Sequence, residues 1–210
     1  MQHERPSWMK ELKVDPGDHI VALISNDQND LDLLSCYLTE GLDHGHAGQV
    51  VASPRDHERA RRHLLNHDIP CDDLEKDQNL SWIDPTQVVN EAGHFDESHF
   101  LKAFQNLVDQ ARASGATIFN AGLMAWCDEL GMSRDAIIEL EAKVNHILPA
   151  SPVASICIWD SNRCSSEMLA DLLRTHPKVL HDGSIITNPI YQSPASVLAR
   201  LDERRASKDA

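Results

Sequence analysis

His19 to Leu34 reads HIVALISNDQNDLDLL. An apolar run passes into a short polar turn, and Leu31, Leu34, Tyr37 and Leu38 then follow at helical spacing. This is the strand–turn–helix opening of a nucleotide-binding α/β fold. The turn, however, holds Asp27, Asp30 and two asparagines, with neither glycine nor lysine. A phosphate loop needs glycines so that backbone N–H groups converge on the anion, and usually a lysine to offset its charge. Carboxylates at this helix start satisfy the helix dipole themselves and repel a polyphosphate. The turn is expected to cap a helix rather than hold a nucleotide, with a divalent ion at Asp27 and Asp30 as the lesser alternative.

The same alternation continues downstream. Strands are expected at 19–25, 48–52, 80–83, 116–120 and 153–159, and helices at 28–43, 53–68, 96–113, 133–148 and 165–175. Ser53-Pro54 followed by Asp56 marks a helix start, and Ser114-Gly115 a helix end. Residues 153–159 are almost wholly apolar, as expected for a central strand covered on both faces. A hairpin over 178–187 turns at Asp182-Gly183. Strands alternating with helices imply a doubly wound, mostly parallel, Rossmann-like sheet whose ligands gather at the strand carboxyl ends. Residues 1–18 read as a lead-in arm, 19–191 as one domain, and 192–210 as a helical tail, carrying Leu198 and Leu201, that frays more readily than it docks.

Composition narrows the function. With 41% hydrophobic and 25% charged residues, the 210-residue chain can bury a core without staples. A net charge of −14 argues against direct nucleic-acid binding. The five cysteines are odd in number and form no C-x-x-C, so reduced thiols are expected and not a disulfide framework. No stretch has the length and apolarity of a membrane span, and the polar start lacks a signal-peptide core, which points to a cytoplasmic location. No nucleophile elbow, H-E-x-x-H or dinucleotide fingerprint is present, so a non-enzymatic role is favoured over an unrecognised active site.

Six segments, in this order and spacing, carry a family resemblance: GDHIVALIS (17–25), YLTEGLDHG (37–45), TIFNAGLMAW (117–126), LEAKVNHILP (140–149), CIWD (157–160) and LLRTHPKVLHDGSIITNPIY (172–191). They resemble the MEDS domain, the sensory domain of the dichloromethane dehalogenase repressor and its methanogen and methylotroph relatives. The resemblance implies a fold related to RecA/KaiC-type ATPases that lacks the phosphate loop, and a role in sensing small molecules. It implies site positions at His19, Glu141, Asn145, Cys157, Trp159 (where relatives commonly carry Tyr), His176 and Tyr191. It departs at Leu123, between Gly122 and Met124, where relatives often have an acid; any ligand contact made by that acid is missing here.

The residues themselves leave bland readings beside these. Glu141 and Asn145 share a helix face at the border of the stripe Ile137, Val144 and Leu148, where a partly desolvated carboxyl would have a raised pKa. Gly122, Met124 and Trp126 follow the fourth expected strand and serve either as pocket wall or as core, as do Cys157 and Trp159. His176 ends a helix, where a protonated imidazole suits the dipole. His63 and His67 have ligand spacing, but nothing in the sequence brings them a third donor, so no metal site and no cofactor are expected. Arg55, Arg59, Arg61 and Arg62 read as a solvated helix face. The expected function is a sensory domain that binds a small, mainly apolar organic molecule and signals through a separate signalling or transcription-regulatory protein. The alternative is a ligand-free interaction adaptor, and homo-oligomerisation stays open.

Overall fold

The computed structural model describes residues 6–10, 12–25 and 27–208. Asn26, the Asp27 side chain on which the expected helix cap rests, and residues 1–5 and 11 of the expected arm lie outside the described residues.

Strands β1 (His19–Ile24), β2 (Ala47–Val51), β3 (Leu80–Ile83), β4 (Ile118–Leu123) and β5 (Val153–Asp160) run parallel. β6 (Lys178–His181) pairs with β1 in parallel, and β7 (Ser184–Thr187) returns antiparallel, giving the sheet order β3-β2-β4-β5-β1-β6-β7. Helices α1 (Asp27–Asp43), α2 (Pro54–Asn66) and α3 (Cys71–Lys76) pack on one face. Helices α4 (Glu97–Ser114), α5 (Trp126–Glu129), α6 (Arg134–Ile147) and α7 (Ser166–Thr175) pack on the other, and α8 (Pro194–Lys208) lies on α6 and α7. This is the doubly wound, mostly parallel sheet expected from the alternation. Period-two alternation splits the strands between the faces: Ile20, Ala22 and Ile24 join the α1 side, and Val21 the α6 side.

Local signals set most boundaries. Asp96, Ser133 and Ser165 accept from the backbone N–H groups of His99, Ala136 and Met168, and each such cap stabilises its helix by about 0.5–2 kcal/mol. Gly115, at φ 72°, closes α4. Ser53 stands at the start of α2 as expected, yet its hydroxyl donates to Glu129 Oε1 (3.0 Å) instead of capping.

Three expectations change. The fourth strand begins two residues later and runs three further than 116–120, because Ala116 N–H still bonds back to Ala111 in the helix's closing turn. The strand then continues through Gly122, held in register opposite Cys157. The tail docks rather than fraying: Val197 and Leu201 are fully buried, and Arg200, Arg204 and Arg205 pair with Asp171, Asp135 and Glu139. Of the basic residues of α2, Arg59 and Arg61 are half-buried and paired, Arg59 with Asp30 and Asp56 and Arg61 with Asp72 and Glu75, whereas Arg55 and Arg62 stay on the solvated face as expected.

The arm packs across the terminal hairpin. Asp182 (φ 46°) and Gly183 (φ 71°) both occupy the left-handed region, as a two-residue Asp-Gly turn requires. Lys10 N–H donates to Gly183 O (2.9 Å), and Met9 and Leu12 are buried beside it. A Cβ on Gly183 would lie 2.1 Å from Trp8 O. Gly183→Ala therefore should lower the unfolding free energy by about 1–3 kcal/mol, read from urea denaturation. An unchanged midpoint would mean that the arm gives way freely.

Candidate functional site

On the α6 side of the sheet, polar side chains occupy positions where apolar ones are usual. Strand register aligns Ser81, Gln49, Asn120, Ser155 and His19 in one row across β3, β2, β4, β5 and β1. Ser155 Oγ donates to Asn120 Oδ1 (3.0 Å), Asn120 Nδ2 to Gln49 Oε1 (2.9 Å), and Gln49 Nε2 to Ser81 Oγ (3.3 Å). Each such group left unpaired inside a protein costs about 1–3 kcal/mol, and here the row satisfies its own members.

The row ends in a buried quartet. Glu141 from α6, Cys157 from β5 and His176 at the end of α7 close around His19, and none is more than 6% exposed. Glu141 Oε2 lies 3.2 Å from His19 Nε2 and 3.4 Å from His176 Nε2. Cys157 Sγ is 3.4 Å from His19 Nε2 and 3.7 Å from Glu141 Oε2. Both rings are held from behind. His176 Nδ1 donates to Leu172 O (2.8 Å), and His19 Nδ1 meets Asn145 Oδ1 (3.0 Å). The Asn145 amide nitrogen donates to Thr175 O (2.6 Å) and Glu141 O (3.2 Å), which leaves Oδ1 as the acceptor. Two positional facts build this: Glu141 and Asn145 are four apart on α6, and Pro177 ends the α7 helix at His176.

Burial pushes the Glu141 carboxyl up, but the charge attraction of His176 and then His19 outweighs it and holds it well below the usual carboxylate range. This reverses the raised value expected from a position at the helix stripe's border; the residue sits inside the core, between two imidazoles. Burial and then His176 lower the His19 pKa, and burial raises the Cys157 thiol well above its ordinary value.

Cavities adjoin this face. An inner one of about 40 Å³ is lined by His19, Glu141 and Cys157 on one side and by Phe104, Met124 and Trp126 on the other. A cleft of about 310 Å³ between α4 and the β2–β3 edge shares Val51, Phe100 and Phe104 with it. A third, of about 190 Å³, opens at the carboxyl ends of β4 and β5 beside Met124, Met168, Trp159 and Arg134. Among the described residues the buried indole N–H groups of Trp126 and Trp159 have no acceptor. On the opposite face, Asp32 Oδ1 lies 3.3 Å from His63 Nε2, and His67 stacks beside it, so the helical His pair does gain a third donor.

The model of the MEDS domain, described as the MEthanogen/methylotroph, DcmR Sensory domain, matches residues 18–177. The chain belongs to the MEDS family. Its fold is similar to that of a KaiC-like protein from the hyperthermophilic archaeon Pyrococcus horikoshii OT3, at 14% identity and a TM-score of 0.55, covering 79% of this chain and 72% of that one. At that identity the likeness concerns the fold alone. Comparison with curated proteins finds no match.

Within this MEDS domain the expected site residues separate into groups. His19, Glu141, Asn145, Cys157 and His176 converge from four elements into the quartet and its support. Gly122, Met124 and Trp126 line the inner cavity against it, Gly122 from within β4. Trp159 lies apart, at the carboxyl-end cavity. Tyr191 is half-buried beyond the matched residues and lines none of the three cavities. Gln49, Asn120, Ser155, Phe100 and Phe104 complete the site beyond the expected residues. The first three carried a usable signal: each is a polar residue at an inward position of an otherwise apolar strand.

Proposed function

We propose that this MEDS domain is a non-enzymatic sensor that takes a small, mainly apolar molecule into the inner cavity and passes the signal to a separate protein. The observation that carries the reading is the inner cavity itself: apolar walls from Phe104, Met124 and Trp126 face a buried polar floor, with one indole N–H unpaired. A guest with an apolar body and a single acceptor atom, such as a short aldehyde, alcohol or halomethane, suits that lining. At about 40 Å³ the space is roughly three times what one water needs, which limits guests to a few heavy atoms. Phe100 and Phe104 of α4 line both this space and the outer cleft, so a guest that displaces them would move α4. A guest that binds better to the shifted arrangement stabilises it, and α4 presents the change to a partner.

The test is a panel of such compounds followed by thermal shift and by tryptophan fluorescence, since Trp126 is part of the wall. Binding is expected to raise the melting temperature and change the emission. In Gly122→Ala the new Cβ would lie 2.8 Å from Met124 Sδ and drive that side chain from its place in the wall. Affinity should then fall about tenfold, or about 1.4 kcal/mol. A flat response of the unaltered protein to the whole panel at millimolar concentration overturns the reading.

A further inference from the structure

We propose that His19 Nε2, Glu141 Oε2, Cys157 Sγ and His176 Nε2 form a four-coordinate site for a divalent transition-metal ion, zinc being the ion that fits these donors. The inference does not depend on whether the inner cavity takes an organic guest.

Distances come first. Tetrahedral zinc with bonds of about 2.0–2.2 Å to nitrogen and oxygen and about 2.3 Å to sulfur sets its ligands about 3.4 Å apart, or about 3.6 Å where sulfur is one of the pair. The nitrogen–oxygen separations are 3.2 and 3.4 Å, the sulfur–nitrogen separation 3.4 Å and the sulfur–oxygen separation 3.7 Å. All four donor atoms lie within 4.8 Å of one another. Four of the six donor–donor separations thus match the edges of a coordination tetrahedron, and the other two lie within 4.8 Å.

Ring orientation gives an independent argument. A metal-bound histidine characteristically donates its second ring N–H to a carbonyl or carboxylate, which fixes the tautomer and aims the free lone pair at the ion. His176 does this through Leu172 O, and His19 through Asn145 Oδ1. In the neutral form of each ring, with that proton on Nδ1, a bare Nε2 would face the same Glu141 oxygen, lone pair against lone pair. His176 Nε2 and Glu141 Oε1 are buried with no hydrogen-bond partner among the described residues. A cation placed among Oε2 and the two Nε2 atoms removes the conflict. Charge closes as well: a carboxylate and a thiolate balance a divalent ion, and the imidazoles stay neutral. On binding, the Cys157 thiol releases its proton to solvent, and a sulfur lone pair forms the bond to the ion, with no change of oxidation state.

Four protein donors leave no open position, so the ion would be structural. It would join the start of β1, the middle of β5, the centre of α6 and the end of α7. The inner cavity touches three of the donors and supplies the way in. The Asp32, His63 and His67 group offers only three donors, and His67 is exposed.

The full chain, stripped with a chelator, is titrated with Co²⁺ as a spectroscopic probe and then with Zn²⁺ in competition. The expected result is one equivalent of Co²⁺ giving intense tetrahedral d–d bands and a near-ultraviolet sulfur-to-cobalt charge-transfer band, displaced by Zn²⁺. Cys157→Ser should abolish the charge-transfer band, and His63→Ala should leave it intact. Asn145→Ala removes only the support behind His19 and should weaken affinity about 10–100-fold while the band remains. No binding tighter than millimolar, a weak octahedral spectrum, or binding lost in His63→Ala and kept in Cys157→Ser would each overturn the site. If Cys157→Ser does not fold, the presence or absence of the band in the unaltered chain decides.

Discussion

Asp171→Ala should lower the unfolding free energy by about 3 kcal/mol, the low end of the range for breaking a buried ion pair. The Asp171 side chain is 4% exposed and meets four guanidiniums: Arg204 at 2.7 Å, Arg200 at 3.1 Å, Arg174 at 3.2 Å and Arg134 at 3.4 Å. These come from α6, α7 and α8, so one carboxylate ties three helices together. Its removal leaves four like charges facing one another. The low end applies because those arginine side chains keep 23–39% exposure and part of their hydration. The effect should depend on pH in a defined direction. Burial pushes the Asp171 carboxyl up, but Arg204, Arg200 and Arg134 outweigh it and hold it below the ordinary value. A carboxylate depressed in the folded state stabilises fully above its unfolded value of about 4 and loses that contribution as pH falls through the folded value. The gap between the unaltered chain and Asp171→Ala, measured by chemical denaturation, should therefore be constant near neutrality and narrow below about pH 4. Hydrogen exchange should show α8 released in the variant. If the gap does not change with acid, the carboxylate is not what holds α8.

The sequence made the scaffold legible wherever a signal is local. Apolar runs, serine and aspartate caps and the Asp-Gly turn all act within a few residues, and the strands and long helices appear where those signals place them. Helices α3 and α5 are too short to display a period, so pattern alone does not reveal them. The fate of the tail was invisible because Asp171, the residue that holds it, lies 23 positions before the helix it anchors (Pro194–Lys208). The site divides in the same way. His19, Glu141, Cys157 and His176 were named individually through the family resemblance, but their meeting point depends on strand order, which local pattern does not encode. β5 lies between β4 and β1, so Cys157 stands beside His19 although 138 positions separate them. The row of Gln49, Asn120 and Ser155 is an intermediate case. Each residue broke an apolar pattern in plain view, but only the register shows that the three breaks fall on one line.

Trp126→Ala is expected to match the first substitution in size by a different mechanism. Trp126 is 1% exposed and packs against Phe95 and Phe100 at ring-centroid distances of 5.4 and 5.8 Å. Truncating a buried tryptophan costs about 3–5 kcal/mol through lost transfer energy and the void left behind. The indole N–H has no acceptor among the described residues, so its loss also removes an unsatisfied donor, and the lower end, about 3 kcal/mol, is expected. For a chain of this length that is a fall of about 6–12 °C in melting temperature. The new void would open directly onto the inner cavity and enlarge the space facing Glu141 and Cys157. Added indole or benzene should then recover about 1.4–2.7 kcal/mol at 10–100 times its dissociation constant, with no effect on the unaltered chain. Such rescue would mean that the walls keep their places when the ring is removed, the rigidity a sensor needs if a small guest is to be felt as a movement of α4. A small loss of stability without rescue would mean that α4 has closed over the gap. In that case the inner cavity is only the space that Trp126 props open, and a guest entering it would find a wall that yields without transmitting anything.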